Sequence, residues 1–450
     1  MNVEEIIMNK NIYMLIFFLS MSTFCHAQTY KVIDIPSSPN PVGSGSRALG
    51  MGSAFIAIAD DATSASWNPG GLIQLDKPEF SIVGKYLTRN DENSFGIVPV
   101  ASGKQSVNEN QINYFSFSYP FQALNHNMIV SINYQYLYDF NKQWDFPFNY
   151  KTEYKDQHST FHYNQDGNLS AIGICYCIEL KKNISFGITL NIWDDLIEKS
   201  GWEERTNESG MAEVVVSEML NIIDTYEYEY ELINKYSFRG INANLGMLWN
   251  VNSKISIGTV FKFPFRAKIN HEYRFTSWHQ FVGGPVEPFS DSKSTTEKLD
   301  MPMSYGIGLA YRFSDNLTLS ADIYKTHWQD FIQRDAEGNE ICPITGTLTS
   351  SADIDPTHQI RLGAEYLLIK PKYVIPLRCG LFYDPAPAQT SPDDYYGFSL
   401  GSGFWYGPYI YDIAYQYRFG NDVGDQLMRG YDFSQDIDEH TVYMSMIYHF

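Results

Sequence analysis

From Glu79 onward, apolar and polar residues alternate with a period of two. Ile184, Phe186, Ile188, Leu190 and Ile192 alternate with Ser185, Gly187, Thr189 and Asn191. Ile360, Leu362, Ala364, Tyr366 and Leu368 do so with Gln359, Arg361, Gly363 and Glu365, and Tyr409 to Phe419 repeats the pattern with tyrosines. Successive side chains of a strand point to opposite faces, so each run is a strand with one apolar, aromatic face and one face of charges, amides and glycines. The alternation predicts strands near 79–86, 112–120, 126–138, 168–180, 183–195, 235–249, 254–268, 301–313, 316–330, 357–369, 373–385, 394–406, 408–420 and 438–450. At roughly 9 to 15 residues they exceed the usual 5–6 of globular proteins.

The connections alternate in length. Lys181-Lys182-Asn183, Val251-Asn252-Ser253, Ser314-Asp315, Lys370-Pro371-Lys372 and Tyr406-Gly407 are tight turns, and the intervening connections are mostly long. Aromatic residues gather toward strand ends. Short turns on one side, long loops on the other and aromatic girdles describe a transmembrane antiparallel β-barrel of about fourteen strands, with periplasmic turns and extracellular loops. In hydrocarbon every backbone N–H and C=O needs a partner, which a sheet achieves only by closing. The last strand sets Val442, Met444, Met446, Tyr448 and Phe450 on the outward face, and its terminal aromatic looks like an outer-membrane assembly signal.

Ahead of the barrel, Lys10 precedes an apolar stretch, Ile12 to Phe24, and then Cys25-His26-Ala27. This order predicts a signal peptide over 1–27 and export to the bacterial outer membrane. Residues 28–78 lack strand alternation. They are rich in Gly and Ala and carry Phe55, Ile56, Ile58, Leu72, Ile73 and Leu75, which predicts a compact plug inside the lumen of the barrel formed by 79–450. Asp61 is placed to cap a short helix over 62–66. Asn68 is placed to cap a turn opening with Pro69.

Composition narrows the function. In 450 residues, 52 acidic side chains face 32 basic ones, for a net charge of −20, which excludes a nucleic-acid partner. Four cysteines remain beyond residue 27 (Cys175, Cys177, Cys342 and Cys379), too few for a disulfide scaffold and without metal-ligand spacing, so isolated thiols are expected. No metal or other cofactor is called for. Gly397-Phe398-Ser399-Leu400-Gly401 matches a hydrolase elbow, but that chemistry needs a strand-to-helix turn, and this run lies mid-strand. His158 and His162, in a polar connection, could hold a metal if helical, but a solvated loop without a carboxylate second shell is the plainer reading. No catalytic residue is assigned. The loop 421–439, with Asp422, Asp425, Asp432, Asp436, Asp438 and Glu439 against Arg429, is a solvated acidic rim able to bridge cations at the lipopolysaccharide layer.

The stretch Arg47-Ala48-Leu49-Gly50-Met51-Gly52, followed by Ala59-Asp60-Asp61-Ala62-Thr63 and Trp67-Asn68-Pro69-Gly70-Gly71-Leu72, resembles the hatch of the outer-membrane long-chain fatty-acid transporter family, which includes aromatic-hydrocarbon channels. Gly70 stands where that family usually has Ala. The resemblance implies a fourteen-strand barrel with an N-terminal hatch, a monomer that passes small hydrophobic molecules, fatty acids first, by passive diffusion. It implies capture in an extracellular groove, a pocket in the lumen, and sideways release where the third strand kinks inward. The third strand here, 128–138, has neither Gly nor Pro. Related hatches also serve protein secretion, so handling of secreted proteins at the cell surface is the alternative.

Two features carry candidate ligand chemistry. Val215, Met219, Ile222 and Ile223 fall at helical spacing in the long connection 196–234, an apolar stripe that, with Trp278, Phe281 and Val282 in the next, would line a capture groove. Pro264 lies inside the seventh strand. It cannot donate to a ladder and demands a bulge or a local gap.

Overall fold

The computed structural model describes residues 43–197, 199–217, 222–428 and 430–450. The predicted signal peptide lies outside them. The chain forms a closed 14-strand antiparallel barrel. Several of its staves are built from two strand segments. β1 (Glu79–Phe95) and β2 (Gly103–Ala123) are the first two staves. The third is β3 (His126–Asp139) continued by β4 (Lys142–Lys151), and the fourth is β5 (Lys155–Lys181). The fifth joins β6 (Ile184–Trp193) to β7 (Gly201–Ser217), and the sixth is β8 (Ile222–Asn250). β9 (Ile255–Lys262) with β10 (Phe265–Phe281) makes the seventh, and β11 (Val286–Met301) with β12 (Ser304–Arg312) the eighth. After β13 (Leu317–Thr326), the short β14 (Ile332–Arg334) and β15 (Glu340–Ile341) form an excursion. β16 (Thr357–Ile369), β17 (Val374–Tyr383), β18 (Tyr396–Tyr406), β19 (Tyr409–Val423) and β20 (Phe433–His449) complete the ring, and β20 pairs with β1 to close it.

The tight turns expected from the sequence join the staves at one end. At the other end, three expected loops are strands. Residues 142–151 pair with 156–165, 155–168 with 201–214, and 226–239 with 268–281. Together β4, β5, β7, β8, β10 and β11 rise as an open sheet beyond the barrel, here called the crest. The period-two signal persists there, as in Tyr226-Glu227-Tyr228-Glu229-Tyr230-Glu231, but the outward residues have turned from apolar to charged. A strand with water on its outer face has no reason to keep an apolar one, and that polarity mimics a loop. Val215 and Ile223 face each other near a hairpin tip, so the helical spacing read there is a coincidence of a β-ladder. Met219 lies outside the described residues.

The level of the membrane is legible on β8. Ile241, Leu245 and Trp249 face outward and exposed, and the run from Ile241 to Trp249 spans roughly 20–25 Å at the rise and tilt of barrel strands. Just beyond it toward the crest, the Arg239 Nε and Nη2 atoms pair with Asp194 and Asp195 at 3.0 and 2.9 Å. The C-terminal strand likewise exposes Met444 and Phe450 and buries Ile447.

Candidate functional site

Residues 43–78 pack against the inward face of the wall. Their short helices, Ser46–Gly50 and Ser64–Trp67, and a 3-10 turn, Pro69–Gln74, bury Met51, Phe55, Ile56, Trp67 and Leu72 almost completely. Asp61 Oδ1 accepts from the Thr63 N–H at 2.8 Å, and Asn68 Oδ1 accepts from the Gly70 N–H at 3.1 Å. The Asn68 amide also donates to the carbonyls of Ile56 (2.8 Å) and Met247 (3.0 Å), so one side chain caps the turn and ties it to β8.

Close approach is permitted by glycines of the wall. A β-carbon at Gly187 would stand 2.3 Å from the Pro69 carbonyl, one at Gly246 2.1 Å from Asn68 Oδ1, and one at Gly380 2.1 Å from the Gly52 nitrogen. Gly258, Gly308, Gly363 and Gly401 meet the segment in the same way. These inward glycines are separated by many residues in the chain, so no local motif announces them. Their one signal is that each sits where an inward side chain belongs in an alternating strand.

Side chains of the wall then bind the segment's backbone. Asp322 Oδ2 accepts from the N–H groups of Phe55 and Ile56 at 2.7 and 2.9 Å. Ser399, of the hydrolase-like run, accepts from the Gly52 N–H at 2.7 Å, a structural duty that occupies its hydroxyl. Ser185, Thr189 and Tyr114 donate to the carbonyls of Gly70, Ala65 and Ala62 at 2.7, 2.9 and 2.7 Å. On the opposite side lies a chain of charges. Arg47 pairs with Asp60 and, at 2.8 Å, with Glu365, which holds Arg378 at 2.6 Å, which in turn holds Asp412 at 2.8 Å. Beside it a polar pocket of the lumen is lined by Lys85, Asp139, Arg361 and Arg418 together with Leu87, Leu137 and Phe382.

The inward face of the crest is an aromatic wall. Tyr226, Tyr228 and Tyr230 on β8 stand beside Phe281, Phe275 and, one strand further, Phe289. Ring centroids lie 5.4 Å apart for Tyr226–Phe281 and 6.0 Å for both Tyr230–Phe275 and Phe275–Phe289. Glu208 on β7 fixes two of the tyrosines by accepting from both hydroxyls, at 2.6 and 2.9 Å, and from Gln157 and Ser159. Toward the membrane, Lys142 lies 4.8 Å from the Trp144 ring centroid, and burial pushes its ammonium down to about 7. Of the sequence candidates, Phe281 joins this wall. Trp278 does not, because its strand parity places it on the outward face, where its indole donates to Glu229 at 2.9 Å. Val215 and Ile223 stay at the tip, with Ile223 exposed. Val282, just past β10, is exposed. His158 and His162 lie on the outward face of β5, roughly 13 Å apart by strand rise, beside Asp156 and Asp145. Among the described residues no cluster of metal-ligating side chains is found, and Cys175, Cys177, Cys342 and Cys379 are free.

Pro264 interrupts the seventh stave, between β9 and β10. The third stave is interrupted too, with Leu137 bulged out of register against β5 and a break at Phe140–Asn141. Neither Gly nor Pro marks it.

A closed barrel with an outward apolar belt and a lumen occupied by its own N-terminal segment defines an outer-membrane channel. The chain belongs to the outer membrane protein transport protein family (OMPP1/FadL/TodX), whose family model matches residues 40–448. Proteins of this family are outer-membrane barrels that transport small hydrophobic molecules, and this chain is an outer-membrane transporter of hydrophobic compounds. Among solved structures it resembles a FadL homologue of Pseudomonas aeruginosa, with 13% identity, TM-score 0.53, and coverage of 91% of this chain and 98% of that one. The toluene transporter TodX of Pseudomonas putida gives 13% identity, TM-score 0.52 and the same coverages of 91% and 98%. The CymD monoaromatic hydrocarbon channel gives 16%, 0.50, 91% and 98%. At these identities the likeness is one of fold. No curated protein sequence matches the chain.

Proposed function

We propose that the protein imports long-chain fatty acids by passive diffusion, as a monomer seated in outer-membrane lipid and lipopolysaccharide. In this reading the crest is extracellular and residues 43–78 are a hatch. The observation that carries it is the pairing of the crest's aromatic wall, with Tyr226 and Tyr228 buried and Phe289 exposed, with a lumen pocket of mixed lining. Leu87, Leu137 and Phe382 stand there beside Lys85, Arg361 and Arg418, whose charges are paired with Asp139, Asp384 and Glu439 of the same pocket, and a lining of that polarity suits a molecule with a polar head better than a bare hydrocarbon. The toluene transporter and the monoaromatic channel among the structural neighbours make aromatic hydrocarbons the competing class.

The test is uptake by intact cells of a fluorescent long-chain fatty acid, in competition with unlabelled fatty acid and with toluene. Competition by toluene alone would reverse the assignment. Tyr228→Ala with Tyr230→Ala is expected to raise the half-saturating concentration severalfold and leave the maximal rate unchanged, since capture and not passage is lost. At the hatch, Asn68→Ala with Pro69→Ala removes a cap worth about 0.5–2 kcal/mol, small beside the barrel but enough to shift a local two-state element. Insertion and heat-modifiability should persist while the uptake rate changes. An unchanged rate would leave the motif a purely structural one.

A second reading is favoured by one feature. The crest ends in two strands, and while Gln105 bonds the Asp145 backbone along the far edge of β4, the upper half of β11 is paired on one side only, an open edge able to accept a further strand. If wild-type cells import no hydrophobic probe, handling of secreted proteins at the surface takes first place.

A further inference from the structure

The outward face of the crest carries a rank of like charges. The register sets Arg239 of β8 opposite Lys268 of β10, Lys268 opposite Lys298 of β11, and Lys298 opposite Arg334 of β14. Four cations thus stand side by side on four neighbouring strands, in a chain whose net charge is −20. Like charges directly opposite one another in a sheet destabilise it. Carboxylates relieve the two ends of the rank. Arg239 pairs with Asp194 and Asp195, and Arg334 pairs with Asp300 and Glu340. Asp300 is shared with Arg266. These carboxylates are thereby committed, and the two lysines in the middle, both exposed, form no ion pair among the described residues.

The surface on either side of the rank is graded in polarity. Two residues nearer the barrel on the same strands stand Ile241, Arg266 and Asp300, and beyond them the exposed Phe263 and Tyr305 of the apolar belt. Two residues further out, Ser237, Asn270 and Thr296 stand opposite one another, with hydroxyl and amide groups and no acid.

Within the belt, the outer wall holds a groove of about 780 Å³ over Leu245, Phe261, Tyr305, Ile307 and Ile323, a volume within the roughly 300–1,000 Å³ of small-molecule sites. Lys325, opposite His358, sets its crest-side edge. From Arg239 to Leu245 is roughly 20 Å along a tilted strand, which is about the depth of one leaflet's hydrocarbon, half of roughly 30 Å. From the belt outward, then, the surface is an apolar groove, a rank of cations and a rank of neutral hydrogen-bonding groups.

We propose that this face binds a phosphorylated glycolipid of the outer leaflet. Its phosphate lies on Lys268 and Lys298 between the two arginines, its sugar meets Ser237, Asn270 and Thr296, and an acyl chain fills the groove. A phosphate there removes the repulsion within the rank and accepts charge-assisted hydrogen bonds from it. A soluble acidic partner fits less well, because the belt directly beneath the rank is covered by lipid. The site lies outside the lumen, so it holds for any cargo. Only its assignment to the outer leaflet rests on the extracellular crest of the reading above.

The test uses the purified full chain in detergent, with bisphosphorylated lipid A, its dephosphorylated form and inorganic phosphate as probes. Bisphosphorylated lipid A is expected to raise the unfolding midpoint and to stay bound in native mass spectrometry, and the other two to do neither. Lys268→Gln with Lys298→Gln should weaken its binding roughly thirtyfold, at roughly fivefold per lysine near an anionic surface. Arg205→Gln with Lys235→Gln removes two cations of the same outer face that lie roughly 13 Å or more along the strands from the rank, beyond a Debye length of about 10 Å, and should leave binding within about twofold. Ile307→Trp fills the groove, keeps the rank and should weaken binding severalfold. Undiminished binding by the lysine variant overturns the site. Equal stabilisation by inorganic phosphate or by dephosphorylated lipid A overturns the lipid phosphate as its ligand. On intact cells, a cysteine replacing Asn207 in a Cys379→Ala background should react with a membrane-impermeant maleimide. If it does not, the extracellular crest fails and the outer-leaflet assignment with it, an outcome distinct from loss of the site in detergent.

Discussion

Gly380→Val is expected to unseat residues 43–78 while leaving the barrel closed. The added β-carbon would meet the Gly52 nitrogen at 2.1 Å, and its neighbours within reach are backbone atoms of Gly52 and Met51, not the yielding end of a side chain. Gly52 cannot move aside alone. Its φ of +64° suits glycine, its N–H is held by Ser399, and its carbonyl accepts from Arg361 at 3.3 Å. Inserting bulk into a packed contact costs about 1–3 kcal/mol. The barrel ladder is untouched, because the valine would add no strain to a strand and removes no backbone donor. The variant should therefore remain heat-modifiable. A cysteine placed at the buried Ser53 should become reactive to a water-soluble maleimide, and single-channel conductance in a planar bilayer should rise severalfold. Wild-type conductance with an unreactive cysteine would show that the wall yields in place of the segment.

The barrel was legible because its physics is periodic. Where lipid covers one face, alternation is clean, and the sequence places all fourteen staves close to where they lie. Where water covers that face, as along Glu203, Arg205 and Asn207 of β7, polarity conceals the strand. The crest consequently reads as loops in the sequence, and its polarity hides the aromatic wall although Tyr226, Tyr228 and Tyr230 alternate without a break. The facing of Trp278 is hidden for the same reason, since facing is set by strand parity and parity has no meaning in a loop. The cap at Asn68 is legible because capping is local, whereas Asp61 only accepts from the Thr63 N–H, ahead of a helix that starts at Ser64 with Thr63 as its N-cap and no side-chain cap. The glycines of the wall and the carboxylate of Asp322 are not legible, because what makes them matter is a segment about 120 to 350 residues away in sequence. Pro264 announces a break because a proline cannot donate to a ladder, and β9 and β10 part at it.

Arg378→Ala should cost more than any other single change in the lumen. The arginine side chain is fully buried, bonded to Glu365 at 2.6 Å and to Asp412 at 2.8 Å. Its removal leaves Asp412 as a buried carboxylate stripped of its arginine partner and leaves Glu365 to Arg47 alone. Breaking a buried pair by deleting one partner costs about 3–5 kcal/mol, because the surviving charge cannot be rehydrated. The loss should appear as a lower unfolding midpoint in detergent and as looser seating of residues 43–78, since Arg47 and Arg378 share Glu365 across the boundary between segment and wall. Replacing the pair, Arg378→Met with Asp412→Leu, removes the uncompensated charge and should recover most of the lost stability while Glu365 keeps Arg47. The two outcomes separate mechanism from bulk. If the double variant is as unstable as the single one, the contribution of Arg378 is its packing against Gly50 and Gly401, not its charge. If the single variant loses less than about 1 kcal/mol, within the range of an exposed ion pair, then water reaches Asp412 and the lumen beside the segment is wet.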